Sequence, residues 1–334
     1  MVEVTRPRVV VTHWVQPEVT DRLEQFCAPV VPSLEEEVWP RRVVLARAES
    51  AVGIVSCMAD CVDEAWLAAC PRLRVVSAVA KGHDNIDVAA CTRRGVWVTN
   101  LPDLLTAPTA ELVVGLMLAL LRRITEAGDY VRGGAFTGWR PVFYGTSLQG
   151  ATVGIIGMGQ LGQAVARRVR AFDATVIFYD PAVPPAQSAT GEAAQVPLAE
   201  VLARSDVVVP LVPLTPATER MLDATALATM RRGAFLINAG RGSLVDEDAV
   251  ADALQTGQLG GYAADVFAFE DWRHPDRPRA IPSRLLASSR TVLTPHLGSA
   301  VASVRRDMGL AAAEQLRQAL TGTRPDNAVN EVGR

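Results

Sequence analysis

The sequence has few cysteines, and they lack the spacing that would give them a structural task. Five are present, all in the first third of the 334 residues, and no two of them form C-x-x-C. An odd number without that spacing predicts neither a disulfide framework nor a zinc site. We therefore expect no metal, and we interpret these residues as buried free thiols in a reducing compartment; they are Cys27, Cys57, Cys61, Cys70 and Cys91.

Long apolar runs, a leader-like N-terminus and an excess of positive charge are also lacking. The longest apolar stretch, residues 112–121, is about half of the roughly 20 residues that span a bilayer. Residues 1–8 contain acidic Glu3 and no apolar core of a signal peptide. The net charge of −3 gives no basic field for nucleic acid. We expect a cytoplasmic protein that binds neither membranes nor nucleic acid.

Lysine is almost absent. Lys81 is the only one among 33 basic residues, and the rest are arginine. A single lysine must fall somewhere by chance, but lysine and arginine differ in shape, hydration and ease of pKa shift. Because Lys81 lies in a predicted loop between a strand and a helix, we favour a functional role over chance.

What the first hundred residues do contain is an alternation of β-branched runs with stretches that carry apolar residues at helical spacing. Such alternation predicts βαβ units and a parallel sheet. At about 150 residues per domain, the length favours two domains. The predicted strands are 8–12, 52–56, 73–79 and 96–99, and the predicted helices are 17–27, 63–69 and 86–94.

A second alternation begins at Ala151. Before it, residues 106–123 predict one helix that is apolar nearly all round and so must be buried, in a core, at a domain junction or at a subunit interface. Residues 132–150, rich in glycine and aromatics, predict a structured excursion. The predicted strands of the second block are 152–156, 175–179, 207–211, 234–238, 261–265 and 291–293, and the last predicted helix is 301–320.

The sharpest motif is GMGQLG at residues 157–162. It follows a predicted strand, opens a predicted helix and precedes a strand that ends at Asp180, which is the context of a dinucleotide-binding fold. Gly157 allows a tight turn, Gly159 lets backbone approach the pyrophosphate, and Gly162 lets helix pack on strand. Asp180 would accept from the ribose hydroxyls and repel a 2′-phosphate, which predicts NAD rather than NADP. The alternative is that Asp180 is only a turn residue before a proline.

Three polar residues follow predicted strands of the second block: Arg241, Glu270 and His296. In a doubly wound sheet they would emerge at the carboxyl edge, where ligands bind. A histidine–carboxylate pair supplies a general acid–base, and arginine suits forked recognition of an oxyanion. Each also has an ordinary alternative, as a loop cap, a solvated charge or a core histidine respectively.

These motifs, in this order, resemble the D-2-hydroxyacid dehydrogenase superfamily. The resemblance covers essentially the whole chain and rests on GIIGMGQLG with Asp180, VPLTPAT (212–218), NAGRGSLVDE (238–247), GGYAADVF (260–267) and TPHLGSA (294–300). It implies two Rossmann-like, doubly wound α/β domains. An NAD domain (104–299) is inserted into a discontinuous, flavodoxin-like substrate domain (1–103, with 300–334 returning to it). It also implies a homodimer, and it places the superfamily's catalytic Arg, Glu and His on Arg241, Glu270 and His296. The predicted cofactor-binding residues are Gly157, Gly159, Gln160, Leu161, Gly162, Asp180, Thr109, Leu211, Pro213, Ala239 and Asp265.

Within that superfamily, the sequence resembles the phosphite (phosphonate) dehydrogenases in three stretches, 79–112, 133–148 and 269–281. This resemblance adds Lys81, Met58 and Arg305 to the site. The sequence departs from those enzymes at His83, where they carry phenylalanine, and at Gly240, beside the predicted catalytic arginine. Both departures bear on substrate fit.

Charge favours one substrate over another. A 2-hydroxy acid presents one carboxylate and one hydroxyl, whereas phosphite near neutral pH is a small anion approaching two negative charges. Three cations, Lys81, Arg241 and Arg305, suit the second better, because clustered like charges cost a few kcal/mol without a counter-anion. Met58 would add a soft apolar wall.

The first hypothesis is therefore NAD-dependent oxidation of phosphite to phosphate, with hydride leaving phosphorus while water attacks it. His296, oriented by Glu270, is the candidate base, and Arg305 is the alternative base. Two other functions stay open. One is a D-2-hydroxyacid dehydrogenase or glyoxylate/hydroxypyruvate reductase with the same Arg–Glu–His set, and the other is a non-catalytic NAD(H)-sensing protein similar to the corepressors of the superfamily.

Overall fold

The structure is built on parallel β-sheets. It is a computed structural model that describes residues 6–36, 38–101, 103–183, 193–272, 274 and 276–333. The chain folds as two units. The first unit is Met1–Leu105 with Trp272–Pro275 and Ser299–Arg334, and the second unit is Thr106–Asp271 with Asp276–Gly298. Two α/β domains with parallel sheets confirm the predicted fold class.

The first unit contains a five-stranded sheet in the order β2-β1-β3-β4-β5. Apart from the edge strand β2, its strands consist mostly of buried residues, as expected of a parallel sheet covered on both faces. They are β1 (Arg8–Val11), β2 (Ala28–Val30), β3 (Gly53–Ser56), β4 (Val75–Ala78) and β5 (Trp97–Thr99), joined by helices α1 (Pro17–Glu24), α2 (Arg41–Ala48), α3 (Glu64–Ala69) and α4 (Val88–Arg93).

The C-terminal helix, Ala302–Leu320, packs in the first unit against β4 and α1. The Ser77 hydroxyl donates to the Ala312 carbonyl at 2.9 Å, which ties strand to helix. A side chain at Gly309 would come within 2.6 Å of Val19, so glycine permits the close approach of the helix to α1. The last helix therefore returns to the unit that the N-terminus begins.

The second unit contains a seven-stranded sheet in the order β12-β11-β10-β9-β6-β7-β8. The order reverses between β6 and β9, which is the switch point where doubly wound sheets bind ligands. The strands are β6 (Thr152–Ile156), β7 (Thr175–Tyr179), β8 (Ala194–Gln195), β9 (Val207–Pro210), β10 (Ala234–Asn238), β11 (Leu259–Ala264) and β12 (Thr291–Leu293). The helices are α5 (Thr106–Leu121), α6 (Ile124–Arg132), α7 (Gln160–Arg170), α8 (Leu198–Arg204), α9 (Ala224–Thr229), α10 (Glu247–Thr256) and α11 (Ser283–Leu286).

The long apolar helix is α5, and it belongs to a core. Val113, Met117 and Leu121 are buried in one cluster with residues of α7 and of the sheet. Of the alternatives that the sequence left open, packing inside the second unit explains the apolar face of α5. The helix ends at Leu121, two residues earlier than predicted, and Arg123, with left-handed backbone, precedes α6.

Elements with no counterpart among the predicted ones include β2, β8, α2 and α6. Strand β2 has three residues, and α2 is short with weak apolar periodicity. Helix α6 is also short, and none of its residues is buried. Residues 133–150 have no regular secondary structure, in line with the predicted excursion. Over the described part of the chain, no helix has the length and apolar character needed to cross a bilayer.

Candidate active site

The glycine-rich turn after β6 lies against the neighbouring strand end. Gly157 has a left-handed φ of 100°, and a Cβ atom there would stand 2.9 Å from the Leu211 carbonyl oxygen. A Cβ atom on Gly162 would stand 2.1 Å from the Gly157 oxygen. Both positions therefore require glycine, one for backbone conformation and close approach and one for helix packing.

The remaining glycine of the motif leaves an opening. Gly159 caps the N-terminus of α7, and nothing lies within 4 Å of the position its Cβ would occupy. Gln160 and Leu161 begin the helix beside this bare backbone. An exposed helix N-terminus with free room above it suits a pyrophosphate, so the residues present fit the dinucleotide that the motif predicts.

Asp180 follows β7 and reaches the same turn. One carboxylate oxygen accepts the Met158 N–H at 2.8 Å, and the other accepts the Ala182 N–H at 2.9 Å. Asp180 is thus a turn residue, as the alternative interpretation had it, and it also fixes a negative charge against the glycine-rich turn. A fixed negative charge at this place is what the predicted preference for NAD over NADP requires.

Other predicted cofactor-binding residues line the strand ends around the switch point. Leu211 follows β9 and donates its N–H to the Ile156 carbonyl at 2.7 Å, and Pro213 continues that loop. Ala239 follows β10 and is buried. These residues form the rim of the carboxyl edge beside the glycine-rich turn.

His296 and Glu270 meet although they are 26 residues apart. The His296 Nδ1 atom lies 2.8 Å from Oε2 of Glu270, and both side chains are about a quarter exposed. The second carboxylate oxygen of Glu270 accepts the Phe267 N–H at 2.8 Å. The pairing commits Nδ1 to the carboxylate and leaves Nε2 as the nitrogen that can exchange a proton with a substrate.

Asp265 holds the loop that carries His296. Its carboxylate is 1% exposed and accepts from the Thr294 hydroxyl and from the N–H groups of Leu297 and Gly298, at 2.6, 2.7 and 2.8 Å. His296 itself adopts a left-handed φ of 58°, which is costly for a side chain larger than glycine. The buried carboxylate therefore stabilises a strained loop that aims the imidazole.

Thr109 secures the same loop from the helix side. Its hydroxyl donates to the Gly298 carbonyl at 3.0 Å, and the residue is buried in α5. Two residues predicted to bind cofactor, Thr109 and Asp265, therefore have observed partners within the protein, on either side of the segment that follows His296.

Arg241 is brought near Glu270 by a glycine. A Cβ atom on Gly242 would lie 1.9 Å from the Phe267 carbonyl carbon and 2.1 Å from the Ala268 nitrogen. The loop after β10 and the loop after β11 therefore touch backbone to backbone. Arg241 has extended backbone, and its Nη1 donates to the Gly240 carbonyl at 2.9 Å.

A buried carboxyl group, missed by the sequence analysis, lies behind this pair of loops. Glu247 is 5% exposed, and its Oε1 accepts the Ala268 N–H at 2.8 Å, while Oε2 has no partner among the described residues. Burial, with the neighbouring charges of Asp271 and Glu270, raises the pKa of Glu247 to about 7, although the bond from Ala268 opposes the rise. The only signal in the sequence was its place in the motif NAGRGSLVDE.

The first unit contains the other three predicted site residues. Met58 follows β3, Lys81 follows β4, and Arg305 lies in the first turn of the C-terminal helix. All three side chains are partly buried. Burial lowers the pKa of Lys81 and the charge of Asp103 opposes this shift. The Lys81 side chain is therefore only partly exposed, and its role in the site stays a prediction.

A second missed group, His13 with Asp60, lies at the same edge of the first unit. The two side chains lie 3.9 Å apart, between Nδ1 and Oδ2. His13 comes two residues after β1 ends, and the strand-end rule that selected Arg241 and His296 would have found it. Within the described ranges, no three histidine, cysteine, aspartate or glutamate side chains are grouped as metal ligands would be.

The chain is similar to known proteins along nearly its whole length. Residues 114–298 match the family model described as D-isomer specific 2-hydroxyacid dehydrogenase, NAD binding domain. A glyoxylate reductase of Thermococcus gammatolerans is 36% identical over 332 residues, which are 98% of this chain and 96% of that protein.

Two solved structures show the same fold along the chain. A protein from Thermus thermophilus has a TM-score of 0.86 at 36% identity, and the match covers 97% of this chain and 100% of that protein. An NADPH-dependent glyoxylate/hydroxypyruvate reductase from Sinorhizobium meliloti, solved with NADP and malonate, has a TM-score of 0.82 at 29% identity over 97% of each chain.

Proposed function

The chain belongs to the D-isomer specific 2-hydroxyacid dehydrogenase family, and from that premise we propose that it reduces a small 2-oxo acid, such as glyoxylate or hydroxypyruvate, to the 2-hydroxy acid. NAD as cofactor is confirmed by the NAD binding domain of the family over residues 114–298. The observation that carries the proposal is the 2.8 Å pairing of His296 with Glu270 in the unit that contains this domain. That pair is the acid–base that carbonyl reduction needs.

Each residue of the site has one role in the proposed reduction. NADH, held at the glycine-rich turn of residues 157–162, would supply the hydride that the carbonyl carbon accepts. His296 donates a proton from Nε2 to the carbonyl oxygen, because Nδ1 is held by Glu270. The Glu270 carboxylate fixes the tautomer and stabilises the imidazolium before the proton leaves. Arg241 binds the substrate carboxylate through its forked guanidinium.

The relatives named above change the order of the hypotheses drawn from the sequence. Two of them are a glyoxylate reductase and a glyoxylate/hydroxypyruvate reductase, and these names support the 2-oxo acid over phosphite. Phosphite oxidation is retained as a second candidate because Lys81 and Arg305 give the first unit two cations that a monoanion does not require. In that reaction the P–H hydrogen leaves as hydride to NAD⁺, water adds through oxygen, and its proton goes to His296 or, alternatively, Arg305.

An absorbance assay separates the candidates. We expect purified protein to consume NADH with glyoxylate or hydroxypyruvate and to form no NADH with phosphite and NAD⁺. The Arg241→Ala variant should lose turnover while its NADH affinity stays near that of the wild type. NADH formation with phosphite and no consumption with the 2-oxo acids would instead establish the second candidate. NADH binding without turnover of any substrate would support the non-catalytic sensor.

The two units take different parts in this proposal. We assign cofactor binding to residues 104–299 and substrate binding to residues 1–103 with 300–334. We further propose a homodimer. Since α5 lies in a core, the surface offered to a second copy is the exposed apolar one of residues 124–144, which carries Ile124, Val131, Phe136, Trp139, Val142 and Tyr144.

A further inference from the structure

Two buried carboxyl groups that take no part in the proposed reaction flank the backbone that carries Glu270. Glu270 is the last residue of a single 3₁₀ turn, Ala268–Glu270, which we call the Glu270 turn. The two groups belong to Glu247 and Asp271, which are 5% and 6% exposed. All of these residues lie in the second unit, so their contacts are made within one compact part of the chain.

Glu247 holds the first residue of the Glu270 turn. Its Oε1 accepts the Ala268 N–H at 2.8 Å. Because Ala268 begins the turn, its N–H has no acceptor within the turn, and Glu247 supplies one from outside. Glu247 is the first residue of α10, and Asp246 caps this helix by accepting the N–H groups of Asp248 and Ala249 at 3.1 Å. The acceptor therefore belongs to a well-anchored helix end.

The position of the turn sets the orientation of Glu270. The Glu270 N–H donates to the Phe267 carbonyl at 3.0 Å, and Glu270 Oε1 accepts the Phe267 N–H at 2.8 Å. Because the backbone and one carboxylate oxygen are both bound to Phe267, only Oε2 is left for the His296 imidazole. A shift of the turn would therefore carry the carboxylate away from His296.

Asp271 ties the same turn to the loop that carries Arg241. Its Oδ2 accepts the N–H of Ser243, two residues after Arg241, at 2.8 Å. Its own N–H donates to the Ala268 carbonyl at 3.2 Å. The Glu270 turn is thus held from two sides, by Glu247 on α10 and by the loop after β10.

Glu247 can hold the turn without adding a charge to the site. Burial raises the pKa of Glu247 to about 7, and the neighbouring acidic charges act in the same direction. In mildly acidic solution the group is therefore neutral, and the charge of a protonated His296 is balanced by Glu270 alone. The titratable groups that interact with Glu247 are Asp271 and Glu270, Asp248 on α10 and Tyr262 on β11.

We propose that Glu247 is a positioning residue, which keeps Glu270 in the place where it pairs with His296. It does so by accepting the Ala268 N–H, and it touches neither substrate nor cofactor. The inference rests on the proposed function, in which His296 gives its proton to the substrate. What the site requires at position 247 is an oxygen that accepts a hydrogen bond, and not a negative charge.

Two substitutions test this requirement. Glu247→Leu fills a similar volume without an oxygen, whereas Glu247→Gln keeps an amide oxygen for the Ala268 N–H. In Glu247→Leu we expect kcat for glyoxylate reduction to fall at least about tenfold, because the acid–base pair is misplaced, while the KM for NADH changes little. Glu247→Gln should keep most of the wild-type kcat. Asp252→Ala is the matched control, since it removes an exposed carboxylate from the same helix.

The pH profile separates positioning from a general loss of folded protein. Reduction needs a protonated His296, and Glu270 at 2.8 Å stabilises that proton. In Glu247→Leu, kcat/KM for glyoxylate should therefore begin to fall at a pH about one unit lower than in the wild type. Glu247→Gln and Asp252→Ala should stay close to the wild-type profile. A smaller folded fraction would lower the activity at every pH alike and leave the shape of the profile unchanged.

Glu247→Met is the second variant if Glu247→Leu does not fold. Wild-type kcat in the apolar variant, or a lower kcat with an unchanged pH profile, would overturn the inference. A wild type that reduces neither glyoxylate nor hydroxypyruvate would instead reject the proposed function.

Discussion

At position 180 a single carboxylate is expected to set which dinucleotide is favoured. Asp180 accepts the Met158 N–H of the glycine-rich turn, which fixes its charge beside that turn. A 2′-phosphate would meet this charge directly. We therefore expect a preference for NAD that depends on one residue, whose position is fixed by backbone hydrogen bonds.

Substituting this residue should relax the cofactor choice. In Asp180→Ala we expect the ratio of kcat/KM for NADH over NADPH to fall at least about tenfold, because the repulsion is removed along with the ribose contact. Steady-state kinetics with both cofactors measure it. Glu200→Ala, which removes a charge from exposed α8, is the control and should leave the ratio as it was. An unchanged ratio in Asp180→Ala would contradict this account.

Glu247 makes the stability of the fold depend on pH. Its folded pKa is raised from 4.5 to about 7, so the folded chain keeps a proton that the unfolded chain releases. The free energy of unfolding therefore falls as the pH rises between these two values, and the full cost is present above about pH 7. At 1.36 kcal/mol per pKa unit, this cost is at most about 3 kcal/mol.

The Glu247→Gln variant should lose this dependence, because the amide cannot ionise. Relative to the wild type, its free energy of unfolding should increase between about pH 5 and about pH 8, by up to about 3 kcal/mol. Urea unfolding at several pH values measures the difference. Parallel pH profiles for the two proteins would show that Glu247 does not titrate in this range.

At the scale of elements, the active site depends on how closely two loops approach. The loop after β10 carries Arg241 and the loop after β11 carries Glu270, and Gly242 is the point where they touch. Motif spacing along the chain does not express such a contact. The contact also explains why Gly242 matters more to the site than Gly240, on the other side of Arg241. An added Cβ atom would stand 1.9 Å from its nearest neighbour at Gly242 and 2.9 Å at Gly240.

Replacing Gly242 should disturb catalysis more than cofactor binding. In Gly242→Ala the new methyl group would overlap the backbone at Phe267 and Ala268, which should separate the loops and cost about 1–3 kcal/mol of stability. We expect kcat to fall strongly while the KM for NADH changes little, since the glycine-rich turn is on another loop. Gly115→Ala is the control. Gly115 is an exposed residue of α5 and nothing lies within 4 Å of its Cβ position, so alanine there should stabilise the helix. Wild-type kcat in Gly242→Ala would refute the close-approach argument.

At the scale of the whole molecule, the surface of residues 124–144 is unusual for a monomer. Trp139 and Tyr144 are both strongly exposed, in a segment where residues 133–150 form no helix or strand. Contiguous exposed apolar side chains are a common mark of an interface. The apolar helix α5, by contrast, buries its apolar side chains in the core of its own unit.

The oligomeric state tests this surface. We expect the wild type to have the mass of a dimer in light scattering and Trp139→Ser with Tyr144→Ser to shift it toward the monomer. Leu286→Ser, an exposed apolar residue in α11, is the control and should not change the mass. A monomeric wild type, or a dimer that both substitutions leave intact, would rule out this segment as the interface.

The sequence by itself determined the strand–helix alternation, the glycine-rich turn and the strand ends that carry Arg241, Glu270 and His296. These follow from local rules: β-branched runs form strands, glycine permits left-handed turns, and parallel strands share one carboxyl edge. Short or highly charged elements such as β2 and α2 were not predicted, because their apolar periodicity is weak.

Only the tertiary structure decided which side chains and backbone groups contact each other across long stretches of sequence. The burial of Glu247, the contact made possible by Gly242 and the binding of His13 through Thr12 and Asp60 each join residues distant along the chain. Hydrogen bonding and desolvation act through space, so the ionisation state and orientation of these side chains depend on neighbours that no local pattern specifies.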